Sequence, residues 1–266
     1  MRLEKIIDGK KLLVEMLIHF DDICKKNNIK YSIGYGTFLG AIRHEGFIPW
    51  DDDIDVMMTR DNYDKLISLH FISENEEVFH YSYTKGYYYQ FAKFVRTDTI
   101  LKEKNRRENN MGLYIDIFPI DLLTEEYLKK TNKKLLWLKK KILFIGSKKK
   151  EIFKANFLTC IFKSIVFFDS FLFSHTKYLV KYDKIIRKCE NGNILVNMVL
   201  TSYSCQNSQM PCNLFDSYSS YLFENEAFAG IENFHSYLSI IYGDYMKLPP
   251  ISERKNHNIN CYYKNK

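Results

Sequence analysis

Four aspartates fall within five positions, Asp51, Asp52, Asp53 and Asp55, and no compact fold takes them without compensation. Two carboxylates about 4 Å apart at an effective dielectric near 20 repel by roughly 4 kcal/mol. In extended backbone Asp51, Asp53 and Asp55 share one face, while Asp52 and Ile54 share the other. Such a row persists if water screens it, if protons neutralise it, or if a divalent cation sits on it. Ile54, Val56 and the run Phe47, Ile48, Pro49, Trp50 oppose a fully solvated loop. A calcium loop of the EF-hand type is excluded. It needs Gly at its sixth place and Glu at its twelfth, where Val56 and Asn62 stand.

The preceding residues read as a strand end at 32–35, a turn at Gly36 and Thr37, and a short helix over 38–44. A glycine just before a helix lets backbone N–H groups approach an anion at the helix N-terminus. Thr37 either caps that helix or adds a hydroxyl contact to a phosphate. Close to a carboxylate row, this turn suggests a phosphate cradle facing a metal site.

A Gly-Thr turn, a short helix and a D-x-D strand resemble nucleotidyltransferases of the polymerase-β type. More closely, GTFLGAIRHEGFIPWDDDIDV (residues 36–56) resembles the signature of the LicD family, the phosphotransferases related to fukutin and fukutin-related protein. Three further stretches are similar to that family, in order: FAKFVRTDTIL (91–101), YIDIFPID (114–121) and YGDYMKLPP (242–250). The fold this implies is α+β: a polymerase-β-like nucleotidyltransferase core with a mixed sheet flanked by helices, plus a basic helical insert. The expected division is a catalytic core over 1–125, the insert over 126–190, and a C-terminal part over 191–266 that completes the core.

Composition sets wider bounds. The chain has 266 residues, enough for one good core with a smaller lobe. Hydrophobic residues at 46% and aromatics at 16% mark a folded protein. A net charge of +7 suits anionic partners such as nucleotides, phospho-sugars or an anionic membrane face. No nucleic-acid-binding motif is present, and nucleic acid is not an expected partner. The six cysteines form no C-x-x-C pair, which argues against zinc. Residues 1–8 carry mixed charge with no early apolar run, so the expected location is the cytoplasm.

Along the chain, residues 3–28 predict an amphipathic helix, with Leu13, Met16, Leu17, Phe20 and Ile23 on its inner face. Residues 60–69 predict a second helix. Residues 78–83 and 88–96 predict a hairpin turning at Lys85 and Gly86. Residues 103–110 read as a charged loop. In the strand predicted over 112–120, Tyr114, Asp116 and Phe118 share a face. A carboxylate there is costly unless paired or metal-bound. Asp121 reads as a cap or turn residue for a helix starting near Thr124.

From 126 to 188 lysines interleave with apolar residues, and 157–173 is strongly apolar but broken by Lys163 and Asp169. That run is short for a membrane span. The basic helices either lie on an anionic bilayer or dock on the sheet with their lysines outward. Beyond them, 194–201 predicts a strand, 215–228 a strand or hairpin, and 234–242 a helix ended by Gly243. Arg254, Lys255 and His257 form a basic cluster, and 258–266 shows no periodic pattern.

The resemblance implies site roles. Asp53, Asp55 and Asp116 are the catalytic carboxylates and ligands of Mg²⁺ (or Mn²⁺), with Asp116 alternatively the acceptor's base. Gly36, Thr37, Arg43, Asp51, Lys93 and Arg254 are substrate-binding residues, Lys93 and Arg254 reaching phosphate. The implied reaction moves phosphocholine, or a similar phospho-alcohol, from a CDP-linked donor to a sugar hydroxyl of a cell-surface glycan. The acceptor would be a lipopolysaccharide, capsule or teichoic-acid precursor, met by a protein peripheral on the inner membrane face if it is lipid-linked. Two alternatives stand beside it: transfer of a nucleoside monophosphate to a small acceptor, and a non-catalytic peripheral membrane protein.

Overall fold

The structure, a computed structural model, describes residues 8–102, 111–146, 176–189, 191–197, 209–254 and 260–264. Its elements begin with α1 (Gly9–Lys26), β1 (Ser32–Ile33), α2 (Tyr35–His44), β2 (Asp55–Thr59) and α3 (Arg60–Ser68). There follow β3 (Glu76–Phe79), β4 (Ala92–Arg96), β5 (Thr99–Lys102), β6 (Tyr114–Leu123) and α4 (Glu125–Gly146). Then come α5 (Thr176–Ile186), β7 (Ile194–Val196), β8 (Gln209–Pro211), β9 (Tyr218–Phe223), β10 (Glu226–Ile231), α6 (Phe234–Tyr242) and β11 (Asn260–Tyr263). The class is α+β, as expected.

The main sheet runs β1-β2-β6-β4-β3, and β7 and β8 extend from the far end of β6. Among the described residues only β2 and β6 pair in parallel, which requires the crossover through α3 and the β3–β4 hairpin. Their register sets Asp55 opposite Asp116, and the antiparallel β4–β6 register sets Lys93 opposite Asp116. Three charged side chains therefore stand in one row across adjacent strands. The neighbours of these charges in both central strands are apolar and buried: Val56, Met57 and Met58 in β2, Ile115, Ile117 and Phe118 in β6.

The helix α1 lays Leu13, Met16, Leu17 and Phe20 on the sheet, with the Phe20 ring 5.7 Å from that of Phe94. Its stripe follows the predicted spacing. Asp8 caps it by accepting the Lys11 N–H. The predicted hairpin before β4 exists with shorter strands and a longer connection, in which Gly86 takes φ +80. In the β9–β10 hairpin, Glu224 and Asn225 both adopt left-handed φ, as a two-residue primed turn demands. Helix α6 has the predicted bounds, with Asn233 accepting the Ser236 N–H and Gly243 at its end.

A second core lies beside the sheet. Leu128, Leu135, Leu138 and Ile142 of α4 pack with Leu179, Tyr182 and Ile186 of α5 and with Leu123 and Val196. The apolar stripe of α4 is thereby covered, while Lys129, Lys130, Lys133, Lys134 and Lys140 face outward. This is the docked arrangement of the basic helices. The apolar run 157–173 lies outside the described residues, as do 103–110, Lys255 and His257. Among the described residues no helix is long and apolar enough to cross a membrane.

Two expectations are corrected here. Asp121 is no cap: it lies inside β6, 4% exposed, and takes Nε and Nη2 of Arg60 at 2.7 Å each. Thr124 caps α4 instead, its hydroxyl accepting the Tyr127 N–H at 3.1 Å. The tail is not without structure either, because residues 260–263 form β11 against β5. Arg60 continues through Asp183 at 3.5 Å, and Arg187 joins Asp183 to Asp64, so an ionic chain ties α3 and β6 to α5. The Arg60–Asp121 pair is the most buried link, at 16% and 6% side-chain exposure. Removing one partner of such a pair strands the other charge. Arg60→Ala is expected to lower the unfolding free energy by about 3–5 kcal/mol in urea denaturation.

Candidate active site

The site begins with a turn. The Asp51 N–H donates to Ile48 O at 2.9 Å, with Pro49 and Trp50 between them, and this folds the carboxylate row back onto the start of α2. Proline suits the second place of such a turn because its φ is preset. Asp51 then comes so close to Gly36 that a Cβ there would overlap its Oδ2. Only glycine admits that approach, which joins carboxylate row and helix N-terminus in one place.

The first turn of α2 differs from the sequence reading. The helix starts at Tyr35, so Gly36 and Thr37 lie in its first turn and not ahead of it. Gly34 is the N-cap. Tyr35 sits at φ 44, the left-handed region in which a bulky residue is strained. Its N–H donates to the Tyr237 hydroxyl at 3.0 Å, and its ring lies edge-on to Phe118. Thr37 is neither cap nor open phosphate contact. It is 3% exposed, and its Oγ1 accepts the Asp55 N–H at 2.9 Å. Its work is to pin the start of β2 to α2.

Around Asp55 the electrostatics are severe. Its pKa is raised well above the ordinary value, first by loss of hydration and then by the charges of Asp53, Asp116 and Asp51. Lys93 acts in the opposite direction. Asp53 and Asp116, expected to converge with Asp55, thus act on it electrostatically, as does Asp51. Lys93, expected at the donor's phosphates, instead places its ammonium on Oδ1 of Asp116. The lysine side chain is 1% exposed and that of Asp116 is 18% exposed. One oxygen of Asp116 is therefore given to Lys93. Among the described residues no three acidic or histidine side chains stand ready to cage a metal ion.

Those residues still fit a magnesium ion. Mg²⁺ uses one or two carboxylates and completes its octahedron with substrate phosphate and water, without an all-protein cage. An enclosed Asp55 carboxyl crowded by three others, against one lysine, is the electrostatic deficit that a divalent cation relieves.

Beside this row opens a cavity of about 550 Å³, lined by Gly36 and Asp51 at one end. Leu39, Ile48, Trp50 and Leu248 form apolar walls, and Tyr242, Tyr245 and Lys247 come from the C-terminal block. Arg43 lines it too and donates through Nη1 to Tyr245 O at 2.8 Å. Burial lowers the pKa of Arg43, and nearby Arg254 adds to that. Arg254 donates to Pro249 O at 3.0 Å and lies 4.7 Å above the Trp50 ring. The structure thus gathers Gly36, Arg43 and Asp51 at one opening, with Arg254 over the Trp50 ring of its wall, whereas Lys93 and Thr37 are buried and do not line it.

Sequence reasoning passed over Trp50, Tyr35 and Tyr242. Tyr242 is exposed at the cavity rim. Even so, enclosure of its hydroxyl and the charges of Asp55, Asp51 and Asp53 push its pKa up. The available signal was its place in the YGDYMKLPP block, some 190 residues from the carboxylates.

A family model described as the LicD/FKTN/FKRP nucleotidyltransferase domain matches residues 28–178. The chain is 33% identical, over a 274-residue alignment covering 94% of each chain, to the lipopolysaccharide cholinephosphotransferase LicD of Haemophilus influenzae. An uncharacterized protein of Rickettsia prowazekii is 33% identical over 123 residues, 46% of this chain and 44% of that one.

The charge crowding sets a stability test. A carboxyl whose folded pKa is raised favours the folded state while protonated, and that advantage is lost as pH rises through the folded pKa. Asp55→Asn is therefore expected to raise the melting temperature of the metal-free protein at neutral pH. The gain should shrink toward pH 4, where Asp55 is itself protonated; a thermal melt series across pH checks it.

Proposed function

The chain belongs to the LicD family, and from that premise we propose that it is a Mg²⁺-dependent transferase moving phosphocholine from CDP-choline to a sugar hydroxyl of a lipopolysaccharide precursor. The observation that carries this reading is the meeting of an acidic row, a helix N-terminus and Arg43 at one cavity, with Arg254 over its Trp50 wall. The sheet order and the parallel β2–β6 pair support a polymerase-β-like core. The relative's name supplies phosphocholine and lipopolysaccharide.

In this reading Asp53 and Asp55 hold the ion. The chemistry the ion would supply there is compensation of the charge developing on the departing nucleotide. The N-terminal turn of α2 at Gly36 receives a phosphate oxygen, and Asp51 orients the row. Arg43 offsets charge on a non-bridging oxygen. The cavity, within the 300–1,000 Å³ usual for ligand sites, takes the nucleotide half, with Trp50 and Arg254 as a flat face for the base. Arg43 and Lys247 are the cations of this lining for the donor's phosphates, beside the carboxylates of Asp51, Asp244 and Glu253.

The reaction is an in-line displacement at the phosphorus bearing choline. The acceptor oxygen forms a bond to it, the bond to the bridging oxygen breaks, and CMP leaves with that electron pair. Asp116 takes the hydroxyl proton, and Lys93 orients its carboxylate. Thr37 holds Asp55 in register while this happens.

The outward lysines of α4 support contact with an anionic bilayer carrying the acceptor, by charge and not by insertion, since the apolar stripe is covered. The protein is then expected to co-sediment with anionic vesicles at low salt and to be released at high salt. Absence of binding at low salt removes this part alone.

The deciding experiment offers CDP-choline, CDP-ethanolamine, CDP-glycerol and CDP-ribitol with Mg²⁺ and a glycan acceptor, reading products by mass spectrometry. CMP release with a phosphocholine-bearing glycan is expected from CDP-choline. Pyrophosphate release from a nucleoside triphosphate would assign the chain to nucleotidyl transfer instead. Asp53→Asn is expected to lower turnover on the order of 10³-fold, as loss of a principal charge-stabilising group does.

A further inference from the structure

Few lysines are as enclosed as Lys93. Its side chain is 1% exposed, at the middle of a sheet, and its ammonium meets Oδ1 of Asp116. The rings of Tyr114, Tyr89 and Phe91 lie 3.3, 4.5 and 5.0 Å from Nζ. Aromatic faces attract a cation, so rings and carboxylate together keep this lysine charged although water is excluded.

Its position matters more than its burial. Lys93 registers with Asp116 across β4–β6, and Asp116 registers with Asp55 across β2–β6. The positive charge therefore lies at one end of the row that a metal pair would bridge. Two-metal phosphoryl-transfer sites place their ions about 3.5–4 Å apart between shared carboxylates. An ion held by Asp116 would meet the ammonium already seated on that carboxylate, and the repulsion doubles for a divalent charge. One of the two ligand sets is already met by a side chain.

We propose that the Lys93 ammonium is a resident cation of this site, standing in for the second divalent ion between Asp55 and Asp116, so that each chain takes one divalent ion at Asp53 and Asp55. The inference rests on the reading of those two residues as metal ligands. Lys93 is thus a positioning residue: it acts through Asp116 and by excluding an ion. Asp116 belongs to the lysine, and the single ion does not need it as a ligand.

The test is a titration of the full chain with Mn²⁺ alone, with free ion followed by electron paramagnetic resonance. The wild type is expected to bind one ion, and Asp53→Asn to lose it. Asp116→Asn should still bind one ion, with its affinity changed because Asp116 lies beside Asp55. Lys93→Met, checked for folding by circular dichroism, should take up a second ion. Two ions in the wild type, one ion in folded Lys93→Met, or loss of the ion in Asp116→Asn would each overturn the inference and leave the metal reading standing. No ion in the wild type, or one retained in Asp53→Asn, overturns the metal reading and the inference with it. Should Lys93→Met fail to fold, the wild-type stoichiometry and Asp116→Asn still decide.

Discussion

The parallel pairing of β2 with β6 is the constraint on which the site depends. It alone brings Asp55 beside Asp116, and with β4 next in the sheet it brings Lys93 to the same row. Parallel pairing cannot be made by a tight turn, so the chain between Thr59 and Tyr114 exists in part to cross over. The same pairing forces like charges together, and the surrounding structure compensates. Thr37 fixes the Asp55 backbone, Lys93 neutralises Asp116, and Asp55 remains with a carboxyl that favours its proton. The apolar neighbours of these groups, chiefly Ile54, Ile115 and Ile117, make the arrangement both costly and electrostatically strong.

A second theme is how remote chain segments complete the opening. Tyr237 accepts the N–H of Tyr35, Tyr245 accepts from Arg43, and Arg254 covers Trp50. Each contact joins the first fifty residues to the C-terminal part. The strained φ of Tyr35 is held by such contacts, in keeping with strain stored where a site is assembled. On the other side, the ionic chain from Asp121 through Arg60, Asp183 and Arg187 to Asp64 ties the helical pair to β6. The strand carrying Asp116 is therefore anchored near its C-terminal end.

Much of this was readable from residue order. The α1 stripe, the bounds of α6, the strand around Asp116, and the acidic row behind a glycine turn all follow from local periodicity and turn chemistry. Readings that failed depended on partners. Asp121 looks like a cap because acid residues before helices often are, yet Arg60, sixty-one positions earlier, claims it. The tail at 260–263 has no pattern of its own because its strand order comes from pairing with β5. The resemblance puts Lys93 at phosphate, and nothing near it in sequence announces Asp116.

Residue types and short-range spacing settle which groups are present and which backbone they adopt, because helix period, strand alternation and glycine freedom act over a few residues. Those forces made the acidic row and its flanking turn visible at once. Which charge meets which is decided by strand register and by segments two hundred residues apart. Coulomb energy and desolvation depend on distance in space, and folding sets that distance only when the sheet closes. So the carboxylates belonged to the sequence, whereas the lysine among them, the threonine beneath them and the arginine-capped cavity beside them belong to the fold.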